Sequence, residues 1–137
     1  MGEPNNEYRL TYEDRDEYLY AHVTSDTITS EIAHSYLAEV TKKCREIGRK
    51  HLLLVRDIQA MLPEYEIFDV AQDFIRLIRG IRVSVVNPYI SHQEAMDFAV
   101  TVSTNRGANY NVFNNETDAL AWLMQDFHSG SVANVRK

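Results

Sequence analysis

The chain has 137 residues, a length that suits one domain, and 45% of them are hydrophobic, enough to fill a single core. A formal charge of −6 without any block of clustered Lys and Arg excludes a nucleic-acid role, because affinity for a phosphate backbone rests on such clusters. The lone Cys44 permits no internal disulfide, and the opening MGEPNN lacks both the apolar core of a signal peptide and the Ser or Thr of a myristoylation signal, so a cytoplasmic protein without membrane insertion is expected.

The first pattern is alternation. YRLTYE, residues 8 to 13, sets Tyr8, Leu10 and Tyr12 against Arg9, Thr11 and Glu13, and YLYAHV, residues 18 to 23, sets Leu19, Ala21 and Val23 against Tyr18, Tyr20 and His22. With DRDE between them, the two runs predict a β-hairpin. Four of the eight tyrosines fall in it, which predicts cross-strand aromatic pairing, the alternative being a homodimer surface or a pocket for an apolar ligand.

From Ser30 to Ile47 the period becomes helical: Ala33, Leu37, Val40, Cys44 and Ile47 form a stripe, Thr41, Lys42, Arg45 and Glu46 fall off it, and Gly48 provides the stop. His34 and Tyr36 read as partly exposed helix residues. HLLLV, residues 51 to 55, is a continuous apolar run, the mark of a strand covered on both faces. Pro63 with Glu64 and Glu66 opens a second helix carrying Ile67, Val70, Ala71, Phe74 and Ile78, closed by Arg76, Arg79 and Gly80. IRVSVV is a third long strand ended by Asn87-Pro88, and SHQE at 91 to 94 reads as a capping box before Ala95, Phe98, Ala99 and Val102. YNVF, residues 110 to 113, is the last strand. Asn114 or Asn115 caps a final helix with Ala119, Trp122 and Leu123, and the tail after residue 125 is expected to fray.

The order is β-β-α-β-α-β-α-β-α in one α/β domain spanning 1–137, with an ordered part of about 8 to 125. Helical crossovers demand parallel neighbours, so the prediction is a mixed five-stranded sheet with a parallel centre and an antiparallel first hairpin strand, HLLLV and RVSVV lying central and adjacent or nearly so. Leu37, Val40, Leu53, Val55, Phe74, Val83, Val85, Ala99 and Trp122 are expected in the core.

This element order, the apolar third strand and above all the ending YNVFNNETDALAWL resemble the STAS fold, and more closely the SpoIIAA-like group around the anti-sigma factor antagonists. The resemblance implies a non-enzymatic regulatory module with a protein partner. In that family the loop after the equivalent strand bears an Asp-Ser-Ser/Thr-Gly type motif whose serine a kinase phosphorylates. Here Asp57 to Phe68 reads DIQAMLPEYEIF, without Ser, Thr or Gly, so the usual switch is chemically excluded at this loop.

Arg56 and Asp57 stand where α/β sites gather, at the carboxyl end of a central strand. Asp57 reads either as an acid, base or ligand-binding carboxylate, or as a structural group that binds loop amides or pairs with Arg56 or Arg82. The structural reading is preferred, because acid-base chemistry needs a second positioned group. The histidines show no metal-ligand spacing, no phosphate loop or nucleophile motif is present, and no cofactor, metal or catalytic set is expected. Loops after successive parallel strands open at one end of the sheet, which predicts a partner-binding rim of Arg56, Asp57, Glu64, Tyr65 and Tyr89. The alternative function, carriage of a small apolar ligand, predicts a pocket lined by Met61, Leu62, Tyr65 and Phe68.

Overall fold

Two alternating stretches, Arg9–Asp14 (β1) and Leu19–Thr24 (β2), pair antiparallel with Tyr12 opposite Ala21. The computed structural model describes residues 8–104 and 109–125, of which 102–104 by backbone alone; the expected fraying of the tail and the place of the Val102 side chain lie outside the described residues. Beyond the hairpin the chain steps across the sheet in one direction. β2 pairs parallel with His51–Asp57 (β3), β3 with Arg82–Val86 (β4), and β4 with Tyr110–Phe113 (β5), so the strands lie side by side in chain order.

The crossovers are the helices Ser30–Ile47 (α1), Glu64–Leu77 (α2) and Gln93–Thr104 (α3). Crossovers of one hand between successive neighbours carry all three to one face, where α2 packs between α1 and α3. The last helix, Glu116–Leu123 (α4), covers β3, β4 and β5 from the other face. Side-chain alternation therefore builds two cores. Leu52, Leu54, Val83 and Val85 join Val40 and Phe74 beneath the three helices, whereas Leu53, Val55 and Val86 join Ala119 and Leu123 beneath α4. Among the described residues no helix is long and apolar enough to cross a membrane.

Local chemistry fixes the helix ends. Thr29 accepts the Ile32 amide to begin α1, and Gly48 ends it in the left-handed conformation at φ 74°. Asn115 accepts the Asp118 amide to begin α4. The expected capping box at Ser91 does not form: residues Ile90–His92 make a 3-10 turn leading into α3, and the polar anchor of this entry is Asn87, whose Oδ1 accepts the Tyr89 amide at 3.0 Å.

Several side chains depart from the sequence pattern. Thr41 is fully buried because its hydroxyl donates to the Leu37 carbonyl at 2.8 Å, which removes the cost of hiding it. Tyr36, expected to be partly exposed, is buried with its ring edge-on to Tyr8, the centroids 6.1 Å apart. The tyrosine pairing expected in the hairpin is absent. Tyr8 and Tyr12 point toward α1, and Tyr18 and Tyr20 point to the opposite face, where the Arg15 guanidinium lies 4.0 Å from the Tyr20 ring centre. Trp122 is half-buried rather than core: its ring stacks on the Arg82 guanidinium at 3.6 Å, and Arg82 in turn donates to the carbonyls of Trp122 and Leu123 at the end of α4.

Phe74, buried at 4% exposure and edge-on to Tyr110, should cost about 3–5 kcal/mol when truncated to Ala, and Trp122→Ala only about 1–2 kcal/mol, as read from urea unfolding. Equal losses would contradict the half-buried placement of Trp122. The Tyr12 hydroxyl is buried without a hydrogen-bond partner among the described residues, and burial pushes its ionisation upward. Tyr12→Phe should therefore raise the unfolding free energy by about 1 kcal/mol; a loss of stability would reveal a partner for that oxygen.

Candidate functional site

The end of β3 places its two charged residues back to back. Successive side chains on a strand point to opposite faces, so Arg56 enters the three-helix core and Asp57 turns to the other side. Arg56 is 5% exposed and donates to the Ile58 and Ala60 carbonyls, both at 3.0 Å. It lies close enough to the Tyr36 phenol to interact with it, although burial dominates and holds that phenol above its ordinary value. Asp57 accepts the Tyr89 hydroxyl at 2.7 Å and lies 3.3 Å from His22 Nε2. The structural pairings read from sequence for Asp57, with loop amides, Arg56 or Arg82, are not the ones formed: its partners are side chains of β2 and the loop after β4, Arg56 turns inward, and Arg82 serves α4 at the far end of β4. The hydrogen bond to Asp57, with burial second, raises the Tyr89 phenol above its ordinary value, so Tyr89 remains a donor at neutral pH.

A second set of side chains joins the loops after β3 and β4. Because Asn87 Oδ1 accepts the Tyr89 amide, its NH2 faces His92 Nδ1 at 3.1 Å. His92 Nδ1 must then accept, and Nε2 carries the proton donated to the Gln59 carbonyl at 2.8 Å. Three consecutive carbonyls, those of Ile58, Gln59 and Ala60, are thus held alternately by Arg56 and His92. This accounts for the backbone acceptors of a stretch that has no regular structure.

The other expected rim residues, Glu64 and Tyr65, occupy the exposed first turn of α2, and Tyr65 is 71% exposed. The 3-10 turn after β4 presents Ile90 at 69%, a residue that sequence reasoning passed over. Of the predicted rim, the structure brings Asp57 and Tyr89 into contact, leaves Glu64 and Tyr65 on the surface, and buries Arg56. An open polar groove runs past Thr24, Asp26, Asp57 and Tyr89.

On the inner side lies a cavity of about 80 Å³ between the sheet and α1, α2 and α3. Met61 and Leu62 line it as expected, but Tyr65 and Phe68 do not; the helical phase turns Ile67, Ala71 and Phe74 inward instead. Among the described residues Arg56 is the one charged residue on its wall. Among the described residues no group of His, Cys, Asp and Glu could hold a metal ion. Burial pushes the Cys44 thiol up to about 11, so it stays protonated and inert on the buried face of α1.

The architecture is the SpoIIAA-like, or STAS, fold: a hairpin leading into three parallel crossovers, with a last helix on the reverse face. The chain is similar to the crystal structure of an anti-sigma factor antagonist from Mycobacterium paratuberculosis, with a TM-score of 0.60 and 13% identity over 90% of this chain and 98% of that one. It is also similar to an uncharacterized protein of the DUF3478 family with a SpoIIAA-like fold from Shewanella loihica, with a TM-score of 0.49 and 15% identity over 85% and 93% of the two chains. At such identities the fold is what is shared. No protein-family model and no curated protein matches the sequence.

Burial, aided by the Arg56 charge and opposed by the bond to Gln59, lowers the pKa of His92 below its ordinary 6.5. The unfolded chain therefore takes up this proton first as pH falls, so the contribution of His92 is intact above about pH 6.5 and declines as pH drops toward the folded value. Denaturant titrations at pH 7.5 and 5.5 should show a loss of stability that is smaller in His92→Gln than in the wild type. Identical losses would place the pH dependence elsewhere.

Proposed function

We propose that the protein is a non-enzymatic, cytoplasmic binding module of one domain that meets a protein partner with the loop end of its sheet. The observation that carries this reading is the exposure of Tyr65 and Ile90, among the described residues the two large hydrophobic side chains that stand out to solvent, on the connections that follow β3 and β4. Successive parallel strands open their connections at the same end, so an aromatic and an aliphatic contact flank the hydrogen-bonded Asp57 and Tyr89. Exposed apolar groups beside satisfied polar ones are the composition of a contact surface. The likeness in fold to an anti-sigma factor antagonist supports a regulatory role.

Asp57 has one imidazole and one phenol beside it, and the phenol is engaged as its donor. This favours a positioned recognition group over a catalytic one, since the phenol hydroxyl is spent on holding the carboxylate in place. Control by serine phosphorylation of the loop after β3 is absent from this reading, because residues 57 to 64 carry no hydroxyl. Arg56 takes no part in the contact and acts from beneath.

Tyr65→Ser combined with Ile90→Ser, both at exposed positions, should leave the thermal midpoint unchanged. In affinity capture a partner retained by the wild type should fall at least about tenfold with the double variant, because paired apolar anchors dominate such contacts. Glu46→Ala, at the far end of α1, should retain it. Sedimentation of the two proteins reads self-association through the same face, and full partner recovery by a folded double variant would move the surface elsewhere.

A further inference from the structure

Among the described residues β1 forms one margin of the sheet and has a single neighbour, β2. The Arg15 amide donates to the Tyr18 carbonyl at 2.9 Å, and hydrogen-bonded pairs alternate along an antiparallel ladder. Arg9, Thr11 and Glu13 therefore spend their backbone groups on β2, while those of Leu10 and Tyr12 point away from it. Such a margin is a template for a further strand. Its side chains divide between the two faces: the half-buried Leu10 and Tyr12 lie toward α1, and the exposed Arg9, Thr11 and Glu13 lie on the reverse face. Among the described residues Arg9 has no carboxylate partner. Glu13 gives one oxygen to Arg15 at 2.8 Å and keeps the other free for a second cation.

We propose that two copies of this chain associate through β1, the two strands running antiparallel about a two-fold axis at Thr11. Arg9 then stands opposite the partner's Glu13, Leu10 opposite the partner's Tyr12, and Thr11 opposite its own copy, with each of the first two pairs made twice. Directly opposed residues share a face, so the neighbouring registers lie two residues away on either side. One of them sets Arg9 against the partner's Thr11 and the other sets it against the partner's Arg15, so charge selects the register between them. The charges that guard this edge against strands in general admit a strand of the same sequence. Leu10 and Tyr12 carry the new ladder. Arg9, Thr11 and Glu13 fall at the closer, non-hydrogen-bonded positions, where opposed Cα atoms are about 4.5 Å apart. The seam is one short strand, which places the dimer in the weak class that buries less than about 1,200 Å². This inference is independent of the partner surface proposed above.

Sedimentation velocity at protein concentrations up to about 1 mM should show a reversible dimer of the full chain. Arg9→Glu and Glu13→Arg, both at exposed positions, should each weaken it at least about tenfold, because two attractive pairs become repulsive. An equimolar mixture of these two variants should associate again, since every acidic position then meets a basic one, and the chain carrying both substitutions should dimerise as the wild type does. Thr11→Cys sets two thiols across the axis at a Cα separation within the disulfide range of about 4.4–6.8 Å. Oxidised glutathione should convert that variant to a covalent dimer. Glu17→Cys, in the hairpin turn, and the wild type, whose Cys44 is buried, should stay monomeric on denaturing gels. Tyr65→Ser with Ile90→Ser should leave the equilibrium unchanged. A wild type that remains monomeric at every concentration would overturn the contact. Failure of the mixed variants to associate would overturn the register, and loss of the dimer in the Tyr65 and Ile90 variant, or cross-linking of Glu17→Cys in preference to Thr11→Cys, would overturn its location.

Discussion

A strand without solvent on either side governs this molecule. Leu52, Leu53, Leu54 and Val55 are all buried, two toward the three-helix face and two toward α4, so this run of β3 must be apolar at every position and both layers must be in place before it is satisfied. The alternation that fills both cores continues past the apolar run and carries Arg56 and Asp57 to opposite faces. One charge is thereby taken inside and the other put at a rim. The separation follows from pleat geometry and would hold for any pair of residues at these two positions.

The irregular stretch between β3 and α2 inherits its shape from that separation. Its carbonyls at Ile58 and Ala60 are held from the core by Arg56, and the one between them, at Gln59, by His92 of the following connection. His92 is oriented by Asn87, which is itself oriented by the Tyr89 amide. Tyr89 then returns to Asp57. The two connections at this end of the sheet are therefore one hydrogen-bonded body, and the exposed Tyr65 and Ile90 stand on its margins.

The sequence revealed the elements where periodicity was long and end signals agreed. The 18-residue α1 begins and ends where its stripe and Gly48 indicate, and YNVF and Asn115 fall on β5 and its following cap. Strand order was legible too, because helical crossovers leave few arrangements. Failures came where a side chain's partner is distant in sequence. Thr41 reads as polar until its own helix carbonyl is seen to satisfy it, and Trp122 reads as core until Arg82, forty residues earlier, is seen to stack on it. The same limit hid most of the site. His22, Asn87 and His92 form no spaced motif, and the adjacent letters Arg and Asp suggest a pair that a strand forbids. Only Asn87-Pro88 carried a local signal, read as a strand stop, and the Asn side chain proves to organise the turn that follows.

Because strands one to five lie in chain order, each parallel crossover closes only on the strand just made. No strand has to be inserted between two that are already paired. Such a chain can grow from its amino end as it leaves the ribosome, each βα unit finding a finished edge to add to, with sequence-local contacts that favour rapid folding. α4 is the exception: it must reach back to β3 and cover Leu53 and Val55, which lack this cover until α4 has been synthesised. A translating ribosome would thus carry an exposed apolar stripe until α4 emerges, and this helix serves as the cover that ends that period of vulnerability to aggregation.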